Sequence, residues 1–353
     1  ASISKAISLG YEKALSAIVD ANVTTLLVTL VLFSLGSGVI KGFAITTCMG
    51  ILASIFSSVY FTQALTELLV AKGIIKEVSL SHDWFSNVPK IDFLKISRPA
   101  FMLSAIILGS SLLMLPIKGI NLGLDFTGGQ QLTMISDEKT HPEDIRAALN
   151  AIGIEQAQVQ TYGSAHTFLI KIGQADRAIT ATASELENAI AGSRVVHAEF
   201  IGPQVGSSML KSSLFAVASA LAVTMVYVAI RFEYRFATSA IISLIHDPIL
   251  ILGIFSLTQI EFNLIALAAM LTILGYSIND TIVVYDRVRE NFKASSELCT
   301  KEVINDAINQ TLSRTVLTSC LTLAVVIALY LFGGDYLHGF SLSLAIGIVI
   351  GTY

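Results

Sequence analysis

Eight stretches of this chain are apolar for long enough to cross a bilayer, or to begin to cross it: about 20–37, 43–70, 98–117, 209–230, 238–258, 262–285, 312–333 and 338 onward. A helical crossing takes about 20 such residues, because the hydrocarbon is about 30 Å thick and a helix rises about 1.5 Å per residue. Only helices and closed barrels satisfy their backbone groups in lipid, so spans of this length predict a polytopic α-helical membrane protein. Composition agrees, with 54% hydrophobic and 14% charged residues and a mean hydropathy of +0.72. The last stretch stops at Tyr353, too soon to finish a crossing.

Lysine and arginine placement sets the expected orientation. Lys72, Lys76, Lys90, Lys95 and Arg98 precede the third span, Arg231 and Arg235 sit in "RFEYRF", and Arg287, Arg289, Lys293 and Lys301 follow the sixth. With all of these in the cytoplasm the spans form one consistent zigzag, and the polar segment 118–208 falls outside. That segment reads as strand, helix, two strands, helix, strand: "QQLTMIS", "HPEDIRAALNAIG", the hairpin "QAQVQTYG" and "HTFLIKI", "DRAITATASELENAIAG" and "RVVHAEFIG". The order βαββαβ is that of a ferredoxin-like α+β domain. The expected divisions are 1–70, two spans; 71–97, a cytoplasmic linker; 98–117, one span; 118–208, the external domain; and 209–353, the remaining bundle.

An internal repeat is present. "FSLGSGVIKGFAITTCMGILASIF" (33–56) aligns without gaps on "YLFGGDYLHGFSLSLAIGIVIGTY" (330–353), matching Gly36 to Gly333, Gly42–Phe43 to Gly339–Phe340 and Gly50 to Gly347. The same offset matches Leu15–Ser16 to Leu312–Ser313 and Thr25–Leu26 to Thr322–Leu323. Both copies run in the same direction, a parallel pseudo-repeat of transmembrane spans such as transporters use. Copy two has four spans and a domain ahead of the matched pair. Copy one has almost nothing ahead of Ala1, so either the copies are unequal or further spans are expected upstream.

The residues that could carry chemistry are few. In "SINDTIVVYD", Asp280 lies about 8–9 Å inside a span if the cytoplasmic boundary is near Tyr285. A charged carboxylate in mid-membrane costs about 2.5–3.5 kcal/mol on insertion scales. Thr272, Tyr276, Asn279 and Asp280 share a helix face, which must look at other helices or water. Asp280 is either an ion-pathway carboxylate or a hydrogen-bonded packing residue near the interface. Arg314, in "NQTLSRTVLTSCLT", is its natural partner or else a snorkelling cytoplasmic arginine; Thr318 and Thr322 continue its face. Asp20 in "IVDANVTTLL" aligns with Leu317 of the repeat, and could equally be an interfacial residue at a helix start. Asp247 follows His246 in "IISLIHDPILIL" and precedes Pro248, so function and a structural kink are both open. His246 can titrate near neutral pH. The glycine pair in "LGLDFTGGQQL" permits a turn or close backbone approach.

Cys48, Cys299 and Cys320 form no metal-ligand spacing and are expected to be buried, inert thiols. No P-loop, HExxH or GxSxG occurs, so no enzyme, metal or cofactor is expected, and no basic tract suggests nucleic acid. The start has no signal-peptide pattern.

"YEKALSAIVDANVTTL" followed by "GVIKGFAITTCMGI" resembles the end of SecD, and "LGLDFTGGQQL", "SINDTIVVYDRVRENF" and "TLSRTVLTSCLTL" resemble SecF, in order. Nearly the whole chain is thus similar to the bacterial Sec translocation factors of the resistance–nodulation–division superfamily, with 71–97 joining a SecD end to a SecF. The resemblance implies a bacterial inner-membrane protein that uses the proton gradient to draw preproteins out of the SecYEG channel after SecA has pushed them in, with YajC and YidC as further partners. It implies protons as the coupling ion and matches Asp280, Arg314 and Asp20 to the family's proton pathway; Asp247 matches a SecF motif without a definite role. It also implies that four SecD spans and a substrate-gripping domain precede Ala1. The alternatives are a proton-coupled exporter of small molecules or lipids, and a passive scaffold around a translocon.

Overall fold

In a computed structural model the chain is described over residues 3–36, 38–75, 90–136, 140–154, 157–162, 164–173, 177–232, 234–294 and 299–352. The middle of the linker expected over 71–97, and the hairpin turn at residue 163, lie outside these. The elements follow the hydropathy. Helix α1 (Ile3–Leu35) is followed by α2 (Gly38–Ile55), a π-helical turn (Phe56–Phe61) and α3 (Thr62–Ala71), which run on as one rod. Helix α4 (Phe93–Lys118) leads to a single turn, α5 (Leu124–Thr127), and to the α+β domain: β1 (Gly129–Ile135), α6 (Pro142–Ala151), β2 (Ala157–Tyr162), β3 (Ser164–Ile172), α7 (Ile179–Ala189) and β4 (Arg194–Ile201). The chain then re-enters the bundle as α8 (Pro203–Arg231), α9 (Tyr234–Thr258), α10 (Leu264–Ala294), α11 (Thr300–Phe332) and α12 (Asp335–Thr352).

Among the described residues seven helices are long and apolar enough to cross a membrane: α1, the α2–α3 rod, α4, α8, α9, α10 and α11. The eighth expected span is α12, apolar but only 18 residues long. Three helices outrun their apolar stretches most, and α1 starts at Ile3, well before the expected 20. Helix α10 continues to Ala294, and α11 starts at Thr300, well before the expected 312. The cause in α11 is local: the Cys299 backbone N–H donates to Glu302 Oε2 at 3.3 Å, closing a capping box ahead of a polar first half.

Helix α10 is the hub of the bundle, packing on α1, α2, α8, α9, α11 and α12. Its first half carries Ala266, Ala268 and Ala269, and such small side chains let neighbouring backbones come close. The bundle core gathers around Leu267, Leu271, Leu274 and Ile278 with Phe255, Leu244 and Val228.

The repeat is visible in three dimensions. Gly36 N donates to Leu32 O, and Gly333 N donates to Leu329 O, both at 2.8 Å. A β-carbon on either glycine would run into that leucine carbonyl and into the side chain four residues on, Ile40 or Leu337. All three pairs keep the alignment's offset. The matched phenylalanines Phe43 and Phe340 meet edge to face, with centroids 6.0 Å apart. Equivalent residues touch each other only where they flank the axis relating the copies.

The sheet order is β2-β3-β1-β4 with all neighbours antiparallel, the split βαββαβ arrangement. Leu132, Met134, Phe168 and Ile170 from the sheet enclose a second core with Ile145, Leu149 and Leu186 from the two helices.

Candidate functional site

The intramembrane polar residues fall into three groups. The first lies on α10 where it faces α11 and α12. Tyr276 donates its hydroxyl to Ser319 Oγ at 3.1 Å, and Ser319 Oγ lies 2.8 Å from Thr352 Oγ1 on α12. One helical turn further along α10, Asn279 Oδ1 and Asp280 Oδ2 are buried without a hydrogen-bond partner among the described residues. Among the described residues Thr272 bonds its own helix, donating to Ala268 O.

Arg314 is close enough for its charge to act on Asp280, but no hydrogen bond or ion pair joins the two. The direct pair expected from the sequence is therefore open in this structure. The helices meet at the Tyr276–Ser319 level, and below it the Arg314 side chain is exposed. Thr318 donates to Arg314 O, so its hydroxyl serves its own helix. Ser319 and Thr352 were not singled out from the sequence; Ser319 sits one residue beyond Thr318 and only the crossing of three helices selects it.

The second group surrounds Asp20. Its Oδ1 accepts from the Tyr227 hydroxyl at 2.9 Å, and its Oδ2 from Arg231 Nε at 2.9 Å and Nη2 at 2.7 Å. Arg231 also donates to Ser16 Oγ at 2.9 Å. Asp20 thus faces a cation across the α1–α8 contact, at the end of α8, and among the described residues no hydrogen bond or ion pair joins it to Asp280. By position in the sequence alone, Arg231 reads as a residue of the cytoplasmic turn. The signal for the pair is depth: in the zigzag, the start of the first apolar stretch at Asp20 and the end of α8 lie at one level.

The third group sits at mid-span between α4 and α9. Ser104 Oγ lies 2.7 Å from His246 Nε2, and His246 Nδ1 lies 3.1 Å from Asp247 Oδ1. Asp247 is 1% exposed and its Oδ2 has no partner among the described residues. Pro248 leaves α9 an unbroken helix from Tyr234 to Thr258. Ser104 was missed because nothing in α4 marks one serine among several.

The cysteines correct an expectation. Cys299 and Cys320 are exposed and Cys48 is half-buried. Cys299 caps the start of α11, and Cys320 shares that helix's outer face with Leu317 and Leu321, 58% and 61% exposed. Among the described residues no three His, Cys, Asp or Glu side chains gather as a metal site would need.

Comparison with known proteins matches this architecture. Residues 1–72 and 181–353 match the family model for the protein export membrane protein SecD/SecF, C-terminal, and residues 113–134 match the SecD/SecF GG motif. The protein translocase subunit SecF of Haemophilus influenzae is 42% identical over 268 residues, covering 75% of this chain and 82% of that protein. The protein translocase subunit SecDF of Brucella abortus is 36% identical over 367 residues, covering all of this chain and 47% of that protein. The crystal structure of SecDF from Thermus thermophilus, a translocon-associated membrane protein, superposes with a TM-score of 0.85 at 33% identity, covering 99% of this chain and 48% of that one. The chain thus spans most of a SecF and about half the length of the fused SecDF proteins it matches. This multi-pass membrane protein belongs to the SecD/SecF family of protein export membrane proteins.

Proposed function

We propose that this chain assists protein translocation by converting proton movement past Asp280 into motion of its α+β domain. A role in protein translocation follows from the family and from relatives named translocase subunits; the proton drive is our reading. The observation that carries it is the buried, unpartnered Asp280 oxygen on the hub helix, within electrostatic but not bonding reach of Arg314. Ionised, the carboxylate draws the guanidinium in; protonated, it releases it, and α10 and α11 shift against each other. One charge crossing 100 mV supplies about 2.3 kcal/mol, enough to bias such a shift. The membrane in this reading is the bacterial inner membrane, and the partners are SecYEG, SecA, YajC, YidC and the emerging polypeptide. Neither catalysis nor a cofactor is invoked; the coupling ion is the proton.

Asp280→Asn tests the reading, because asparagine keeps the shape and cannot ionise. In inverted membrane vesicles with an imposed proton gradient, the gradient-stimulated part of translocation is expected to vanish while ATP-driven translocation by SecA continues. A variant that responds to the gradient like the wild type makes Asp280 a packing residue.

One observation favours export of small molecules or lipids as a second reading. A cavity of about 480 Å³ opens where the α1–α2 turn meets the starts of α8 and α10, lined by Leu35, Ile40, Val205, Met209, Ser212 and Leu267 among others. Vesicles that extrude a lipid or drug in step with protons, and leave preprotein transport unchanged, would select it.

A further inference from the structure

Two attachments of the α+β domain to the bundle are covalent: α4 runs into it and α8 runs out of it. A third is not. The turn between α9 and α10, residues 259–263, is zipped to the segment that opens the domain. Phe262 N donates to Asn121 O at 2.8 Å, Gly123 N donates to Phe262 O at 2.9 Å, and Leu122 bridges Phe262 in parallel. The Phe262 ring, buried, stacks on Phe126 and meets Phe255 edge-on at 5.3 Å.

The same segment finishes the hub helix. Leu264 N, in the first turn of α10, donates to Asp125 Oδ2 at 2.9 Å, beside the local cap of Asn263 Oδ1 on Ala266 N. An aspartate is favoured there by the positive end of the helix dipole. Three residues separate Asp125 from β1, and the glycine pair at that junction allows no slack. Gly128 and Gly129 have φ of +77° and +145°. A β-carbon on Gly128 would lie 2.8 Å from Ile201 O, and one on Gly129 would strike Ile172 O.

Ile172 adjoins the last component. Lys171 projects from β3 on the face away from α6 and α7, and its Nζ lies 2.6 Å from Glu261 Oε1 in the turn. Both side chains are nearly enclosed, 10% and 12% exposed. A buried pair of this kind tolerates no loss of one partner, since the other charge is then left alone in low dielectric.

We propose that the Lys171–Glu261 ion pair and the Asp125 cap form a closed joint that locks the α+β domain to the start of α10, so that displacement of the helix bearing Asp280 is delivered to the domain. Lys171, Glu261 and Asp125 are positioning residues, and the proposal rests on the reading that Asp280 drives α10.

The test uses the intact protein in its membrane. Lys171→Glu and Glu261→Lys each bury two like charges and are expected to lower gradient-stimulated translocation about tenfold. The reciprocal swap K171E/E261K restores it. Proton conductance in liposomes stays at the wild-type level in all three, a signature of uncoupling that a general folding defect does not produce. With Cys48, Cys299 and Cys320 replaced by serine, Lys171→Cys and Glu261→Cys joined by a short thiol cross-linker are expected to translocate as well as the uncross-linked protein, because the joint works closed. Loss of translocation on cross-linking, wild-type activity in either single reversal, or failure of the swap in a normally accumulating protein overturns the joint. The proton reading fails separately, if Asp280→Asn conducts and translocates like the wild type.

Discussion

At the residue scale, the two carboxylates on α1 and α10 have opposite situations. Asp20 has both oxygens occupied, Oδ1 by the Tyr227 hydroxyl and Oδ2 by two nitrogens of Arg231. Asp280 has one buried oxygen with no partner among the described residues and makes no ion pair with Arg314. Arg231→Ala is expected to cost about 2–4 kcal/mol, reduced from the about 3–5 kcal/mol of a fully buried pair because Arg231 keeps some contact with solvent. Thermal unfolding in detergent reads this directly, and Asp20→Asn combined with Arg231→Ala should recover part of it, since no charge is then stranded. Arg314→Lys keeps the charge but loses the planar fork that suits a carboxylate. It should insert normally yet translocate poorly under a gradient; wild-type translocation would make Arg314 an interfacial anchor. Sequence could single out Asp280 because one acidic residue in an apolar helix stands out on energetic grounds. For Asp20, depth narrows the partner to the basic residues at its level, and the α1–α8 crossing selects Arg231 among them.

At the element scale, the polar first half of α11 explains why that helix outruns its apolar stretch. Asn309 Oδ1 accepts from Ile91 N, and Asn305 Oδ1 from Phe93 N, both at 2.9 Å. Both asparagines also donate to Ile91 O, at 3.1 Å from Asn305 and 2.8 Å from Asn309. Lys90 and Asp306 add an exposed pair worth little by itself. These side chains serve an extended segment as a neighbouring strand would, and anchor the entry to α4. Replacing Asn305 and Asn309 together by alanine removes bonds worth about 0.5–1.5 kcal/mol each. Hydrogen exchange at Ile91 and Phe93 should accelerate by about ten- to a hundredfold, with the spans unaffected. Unchanged exchange would mean that other contacts hold the segment. Hydropathy could not foresee this, because a polar helix and a polar loop look alike until a partner for the asparagines is known. The βαββαβ order was legible because each strand and helix of the small domain carries its own period and its own turn residues, independent of the membrane.

At the scale of the whole molecule, the repeat and the joint assign different work to the two ends of α10. Its start is tied to the α+β domain through Asp125 and Glu261, while its second half carries Asp280. The repeat was readable because glycines at helix ends and the Phe43–Phe340 pair are constrained by close contact, so both copies keep them. The attachment of the 259–263 turn to the domain was not, because Glu261 and Lys171 lie 90 positions apart and neither is unusual where it stands. Orientation decides which way protons and polypeptide would run through this arrangement, and charge bias puts the α+β domain outside and the α10–α11 turn in the cytoplasm. The chain contains a native probe for the second side in Cys299, exposed at the start of α11. With Cys48 and Cys320 replaced by serine, a membrane-impermeant maleimide should label Cys299 only after permeabilisation. Asn188→Cys, at an exposed position on α7, should label in intact cells. The reverse pattern would invert the topology, put Asp280 near the outer face, and leave the proposed proton stroke pushing the domain against the cytoplasm instead of the exported chain.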